Sequence, residues 1–232
     1  PNVVTGNTLT SIASSEGAYP DGSGIFQTNN TALNINGEAP QNVDNLISGN
    51  TISGFVRGVL IDGSAPAGGT CSATLSNNNT ISGCAIGVDV KASKASATLS
   101  TNEIDACTTY GVSADGGVVV ISSSRFETNA VAIASLNGGN ATINNNEILN
   151  NTGGVLVDAT GAAALAGNNL AGNSAFGAQA AGPAVINAQN NWWGSYAGPG
   201  ALDGGGRTGD AAIASVDASN FARGAFRVDS DG

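Results

Sequence analysis

Residues 77–90 read NNNTISGCAIGVDV, and residues 48–62 read SGNTISGFVRGVLID. Each phrase holds an asparagine, an isoleucine two places later, and a glycine that opens an alternating apolar run. The same phrase recurs down the chain, and recurrence at tens of residues is the mark of a stacked architecture. Its leading position is taken by Asn50, Asn79, Asn102, Ser124, Asn146, Asn168 and Asn190, in steps of 29, 23, 22, 22, 22 and 22. Two places after each leader stands a large apolar residue: Ile52, Ile81, Ile104, Phe126, Ile148, Leu170 and Trp192. Eight or nine places after it, Gly58, Gly87, Gly111, Ala132, Gly154 and Gly177 open a second apolar segment. A third precedes the leader, as in ATLS (73–76), ATLS (97–100), VVIS (119–122), ATIN (141–144) and AVIN (184–187).

Three short strands per repeat cannot each bury an apolar face alone, but stacked copies bury it against one another. The spacing therefore predicts an all-β fold, a right-handed single-stranded parallel β-helix of about 7–8 coils, roughly 35–40 Å long at about 4.8 Å per coil. The division expected is a β-helix over 1–200, with irregular first coils at 1–44 and an insertion at 63–72, then a capping segment and acidic tail at 201–232. The 43-residue step from Asn7 to Asn50 is too long for one plain coil. Two irregular excursions, SSEGAYPDGS (14–23) and NINGEAPQN (34–42), lie within it.

The columns assign structural roles. The asparagines form a corner ladder, because an amide both donates and accepts along a stack and tolerates left-handed backbone. The isoleucine column is core, worth about 1.5–3 kcal/mol per large side chain buried. One place after the leader, Glu103, Arg125 and Glu147 stack opposite charges on neighbouring strands, an expected ion-pair ladder. Cys84 and Cys107 hold equivalent places one coil apart, within disulfide reach, with Cys71 as a rival partner.

Composition narrows the chemistry. With no His, the usual general base and transition-metal ligand is missing. Lys and Arg number 7 against 17 Asp and Glu, for a net charge of −10, which disfavours nucleic acid and anionic membrane as partners. No apolar run is long enough to insert in a bilayer. No acids converge on one cleft, and Asp62, Asp115 and Asp158 are interrupted in their column by Lys91 and Leu136.

The ending NAQNNWWGSYAGPG (187–200), followed by DGGGRTGDAAIASVDASNF (203–221), resembles the terminal signature of bacterial secreted and surface β-helix proteins of the pectate-lyase-like superfamily. The resemblance covers 187–221 well and 45–200 loosely, and it implies the fold. Enzymes of that superfamily carry Gly-His-Gly, Arg-x-Lys, Asp-His or Asp-Pro-His phrases that this chain lacks. The regular register, the acidic and polar surface and the missing catalytic phrases predict a non-catalytic extracellular or cell-surface protein, structural or adhesive, with itself or an extracellular polysaccharide as partner. A first coil with unpaired strand edges predicts end-to-end filaments. The alternative is a polysaccharide lyase, a glycoside hydrolase or a carbohydrate-binding rod. No cofactor is expected, with calcium at the acidic tail VDSDG (228–232) as the alternative.

Overall fold

The computed structural model describes residues 2–10, 23–28, 43–64, 69–200 and 209–228. Every regular element among them is a strand, and the strands form three parallel sheets of nine, seven and nine members. The protein is a right-handed parallel β-helix. In a typical coil Ala95–Ser100 lies in the first sheet, Glu103–Asp105 in the second and Tyr110–Asp115 in the third. Each pairs in register with its counterpart one coil on, as Ile104 with Phe126 and Val112 with Ile133.

The short middle strand exists because two backbone corners bracket it. Thr101, Ser123 and Asn145 at one corner, and Ala106, Thr128 and Asn150 at the other, all have φ between 47° and 57°. That left-handed backbone costs an ordinary L-residue energy. At most of these corners the next residue bonds the neighbouring coil, as Asn146 and Asn151 do, while the buried Cys107 follows Ala106. The left-handed residue is thus the one before the ladder asparagine, rather than the asparagine itself.

Ile52, Ile81, Ile104, Phe126, Ile148 and Leu170 are each fully buried. Opposite them, the glycines that open the third-sheet strands make room. A Cβ on Gly87 would stand 2.5 Å from the Gly111 carbonyl oxygen and 3.0 Å from Ile104 Cγ2.

Two sequence expectations need correcting at the ends. The first coil is a single coil after all: Asn2–Thr5, Thr8–Thr10 and Ser23–Thr28 pair with Val43–Ser48, Thr51–Ser53 and Arg57–Asp62. The long step is absorbed at corners whose excursions, like the tail beyond Val228, fall largely or wholly outside the described residues. At the other end, Trp193 rather than Trp192 enters the core, 0% exposed, while Trp192 bridges to Asn169 in the outward column. The ladder step there is 23 residues, from Asn168 to Asn191, so every assignment made with Asn190 as leader is displaced by one. Asn190 is the left-handed corner residue, with φ of 58°.

The strand Cys71–Ser76 starts inside the expected insertion, pairing Cys71 and Ser72 with Ala95 and Ser96. Past Trp193, Gly209–Ile213 joins the third sheet beside Phe176–Ala180, with Pro199–Gly200 outside it. Phe226 ends this segment, its N–H donating to Asn169 Oδ1 and its carbonyl accepting from Asn169 Nδ2, both at 2.8 Å.

Candidate functional site

Two polar ladders line the corners of the rod, the second only over its later coils, and the first is the expected corner column. Nδ2 of Asn7, Asn50 and Asn79 donates to Oδ1 of the next member at 3.2, 3.0 and 2.8 Å. Most of these amides also donate to a backbone carbonyl, as Asn79 does to Ile47 at 3.0 Å. Ser124 breaks the relay, accepting only the Asn102 N–H at 3.2 Å on its Oγ. It resumes through Asn146 and Asn168 to Asn191, at 3.0 and 2.8 Å.

The second ladder escaped the sequence reading. Asn129 donates to Asn151, and Asn151 to Asn173, at 3.0 and 2.9 Å. Asn173 then bonds Asp210 Oδ2 through both its backbone N–H and Nδ2, while the Gly172 N–H bonds Oδ1 at 3.0 Å. A carboxylate, which only accepts, is suited to end a chain of donors that all point one way.

Burial nonetheless pushes the Asp210 pKa up, outweighing those bonds. A carboxyl raised in the folded state contributes stability that is present below its unfolded pKa of about 4 and is lost as pH rises through the folded value. Asp210→Asn should remove that decline, measured as the difference between variant and parent in urea melts over this range. An unchanged slope would show that Asp210 is not the titrating group.

Cys84 and Cys107, which precede Asn129 in the second column, are free thiols, not the candidate disulfide, and Cys71 is buried as well. A Cβ on Gly58 would lie 3.3 Å from Cys84 Sγ, and one on Gly87 3.2 Å from Cys107 Sγ, so each sulfur occupies space that a glycine leaves. Burial raises both thiol pKa values, that of Cys107 to about 12. Iodoacetamide at neutral pH should leave all three unmodified in the folded protein and label all three in urea, read by mass spectrometry. Rapid labelling of Cys107 without denaturant would contradict this burial.

The charged surface lies on the second sheet. Register brings Glu103, Arg125 and Glu147 into one column, but they form no ion-pair ladder. Arg125 Nη2 instead meets Glu127 Oε2 at 2.6 Å, two residues along its own strand. The guanidinium thus reaches about 6.7 Å along its own strand rather than about 4.8 Å to the in-register carboxylates of the neighbouring coils. The Asn150 amide, then Arg125, hold the Glu127 pKa below the carboxylate range. Burial, reinforced by Glu103 and Glu127, raises Asp105, which pairs with Glu127 in register. The sequence reading passed over this carboxyl pair, and also Asp89, whose side chain is 4% exposed and bonded to Arg57 Nε at 2.8 Å.

A stack of three-stranded coils, stitched by amide ladders and charged along one outer sheet, defines a parallel β-helix protein. The family described as "Periplasmic copper-binding protein (NosD)" matches residues 1–198, and the chain belongs to it. Its place is accordingly outside the cytoplasm. No curated protein and no solved structure matches the chain.

The residues do not fit the copper of the family's description. Copper sites draw on imidazole, thioether and thiolate, and this chain has no His and no Met. Cys84 and Cys107 are buried against glycines with raised pKa values, Cys71 is buried too, and among the described residues no three His, Cys, Asp or Glu are placed to hold an ion. The acidic tail considered for calcium falls, beyond Val228, outside the described residues.

Proposed function

We propose that the chain is a non-catalytic structural rod that works outside the cytoplasm and assembles end to end. The observation that carries this reading is an open recess at the last coil. Pro199, Ala212, Val216, Ala218 and Phe221 line a cavity of about 360 Å³ there together with Asp217 and Ser219, so its wall is part apolar and part polar. At the opposite end Val4, Leu9 and Ile25 are only half-buried against the core. Contact between two unlike ends is heterologous and propagates into a filament. The test is negative-stain electron microscopy over a concentration series, beside Ala218→Glu, which puts a charge in the recess. Filaments that the variant abolishes while keeping its circular dichroism spectrum support the reading, and dispersed rods at every concentration overturn it.

A second reading, a polysaccharide-active enzyme, is favoured by one observation. Asp105 and Glu127 lie one coil apart, about 4.8 Å, and their surroundings push their pKa values in opposite directions. Such a split suits an acid and a nucleophile. Turnover of neutral and acidic polysaccharides that Asp105→Asn abolishes would establish it and displace the structural reading.

A further inference from the structure

The nine-stranded first sheet turns a flat outer face to solvent, and the register sets residues on it in straight columns. One column runs Val3, Leu46, Thr74, Thr98, Val120, Thr142, Ala164, Asn187 and Asp217, one residue per coil. Beside it Ser72, Ser96, Val118, Asn140 and Ala162 form a second. From Ser72 to Asn187 these columns hold only hydroxyl, amide, methyl and valine side chains. Charge enters at the two ends, with Asp44 and Asp217.

The carboxylates of Glu103, Asp105, Glu127 and Glu147 all belong to the second sheet instead. In a chain of net charge −10, a neutral face is where a second copy can approach with least repulsion. Two valines mark the geometric centre of the face. Val118 and Val120, 43% and 41% exposed, stand on Val118–Ser122, the fifth of the nine strands, between Thr98 on one side and the alanines and Thr142 on the other. The face also carries Val3, 59% exposed, on its first strand and the exposed Ala162 and Ala164, and small uncharged and apolar side chains of this kind suit a protein interface.

We infer that this face pairs with the same face of a second copy, closing a two-fold dimer over Val118 and Val120. Nine strands at about 4.8 Å and three outward positions about 6.7 Å apart give about 500 Å² per copy. The pair buries about 1,000 Å², the lower bound for a biological interface, so the dimer is reversible. Two flat sheets packed face to face lie about 10 Å apart and need short side chains between them, and short side chains are what the columns supply. The pairing is lateral and independent of contact between rod ends.

Light scattering coupled to size-exclusion chromatography of the purified chain tests it. A mass rising toward twice that of the monomer with concentration is expected, and Val118→Glu with Val120→Glu should hold the chain at monomer mass. Val120→Cys, beside the two-fold axis, should form a covalent dimer under mild oxidant. Thr80→Cys on the second sheet should not, and the native thiols are too buried to interfere. Ala218→Glu, made against end contacts, should leave the dimer intact. Monomer mass at every concentration, a dimer indifferent to the glutamates, or equal crosslinking at Thr80→Cys would each overturn the inference.

Discussion

Phe126→Ala lowers the stability of the rod by about 3–5 kcal/mol, the usual cost of truncating a fully buried phenylalanine. Phe126 is 0% exposed and stands in the inward column between Ile104 and Ile148. Its neighbours cannot close over the vacancy, because each coil is pinned to the next in register on all three sheets. The loss should therefore sit near the top of the range. Urea denaturation with an unchanged m-value is the measurement, and a loss below about 1.5 kcal/mol would mean that the coils relax inward after all. Ile104→Asp, which buries an unpaired carboxylate in the same column, should abolish folding of the central coils outright.

The second large effect comes from the ladder. Asn146→Leu keeps the size of the side chain but strips every bond the amide makes. Its Nδ2 donates to the carbonyls of Ile121 and Asn144 and to Asn168 Oδ1, at 3.1, 3.0 and 3.0 Å, and its Oδ1 accepts the Ser124 N–H at 3.0 Å. Asn146 is 0% exposed, so water cannot replace those partners, and two or more orphaned groups at about 1–3 kcal/mol each give a loss of about 3–5 kcal/mol. Asn146→Ser should cost less, because a hydroxyl still accepts the N–H of the preceding coil, as Ser124 does for Asn102. Equal losses in the two variants, by the same melts, would show that packing rather than hydrogen bonding holds this corner.

The architecture was legible because a solenoid writes its geometry into the chain as a period. The isoleucine column and the ladder asparagines recur every 22 or 23 residues through the middle of the molecule, and each takes its expected place there. Legibility failed where the letters double. Asn190-Asn191 followed by Trp192-Trp193 reads equally well in two registers, and only the position of the left-handed corner distinguishes them.

The second ladder was present as Asn129, Asn151 and Asn173 at a spacing of 22. Its column begins with Phe55, Cys84 and Cys107, and those residues drew attention to sulfur chemistry instead. Reading down columns also hid the pairing of Arg125 with Glu127, which runs along a strand. The paired carboxyls Asp105 and Glu127 acquire their character from burial and from the Asn150 amide, neither of which a spacing rule records.

The interruption at Ser124 has a mechanical consequence. Amide-to-amide links join Asn7 through Asn102 at one corner and Asn129 through Asn173 at the other, yet none crosses from the coil of Asn102 and Cys107 to that of Ser124 and Asn129. The polar side chains at the two corners reach over only through backbone groups: Asn102 N–H donates to the hydroxyl, Cys107 N–H to Asn129 Oδ1 at 3.0 Å, and Asn129 Nδ2 to the Ile104 carbonyl at 3.0 Å. The carboxylates of Asp105 and Glu127 face each other across the same boundary. In a quasi-one-dimensional molecule, whose cohesion is a sum over adjacent layers, this is the fracture plane. Under tension along its axis the rod parts there first, into two blocks that each remain internally laced.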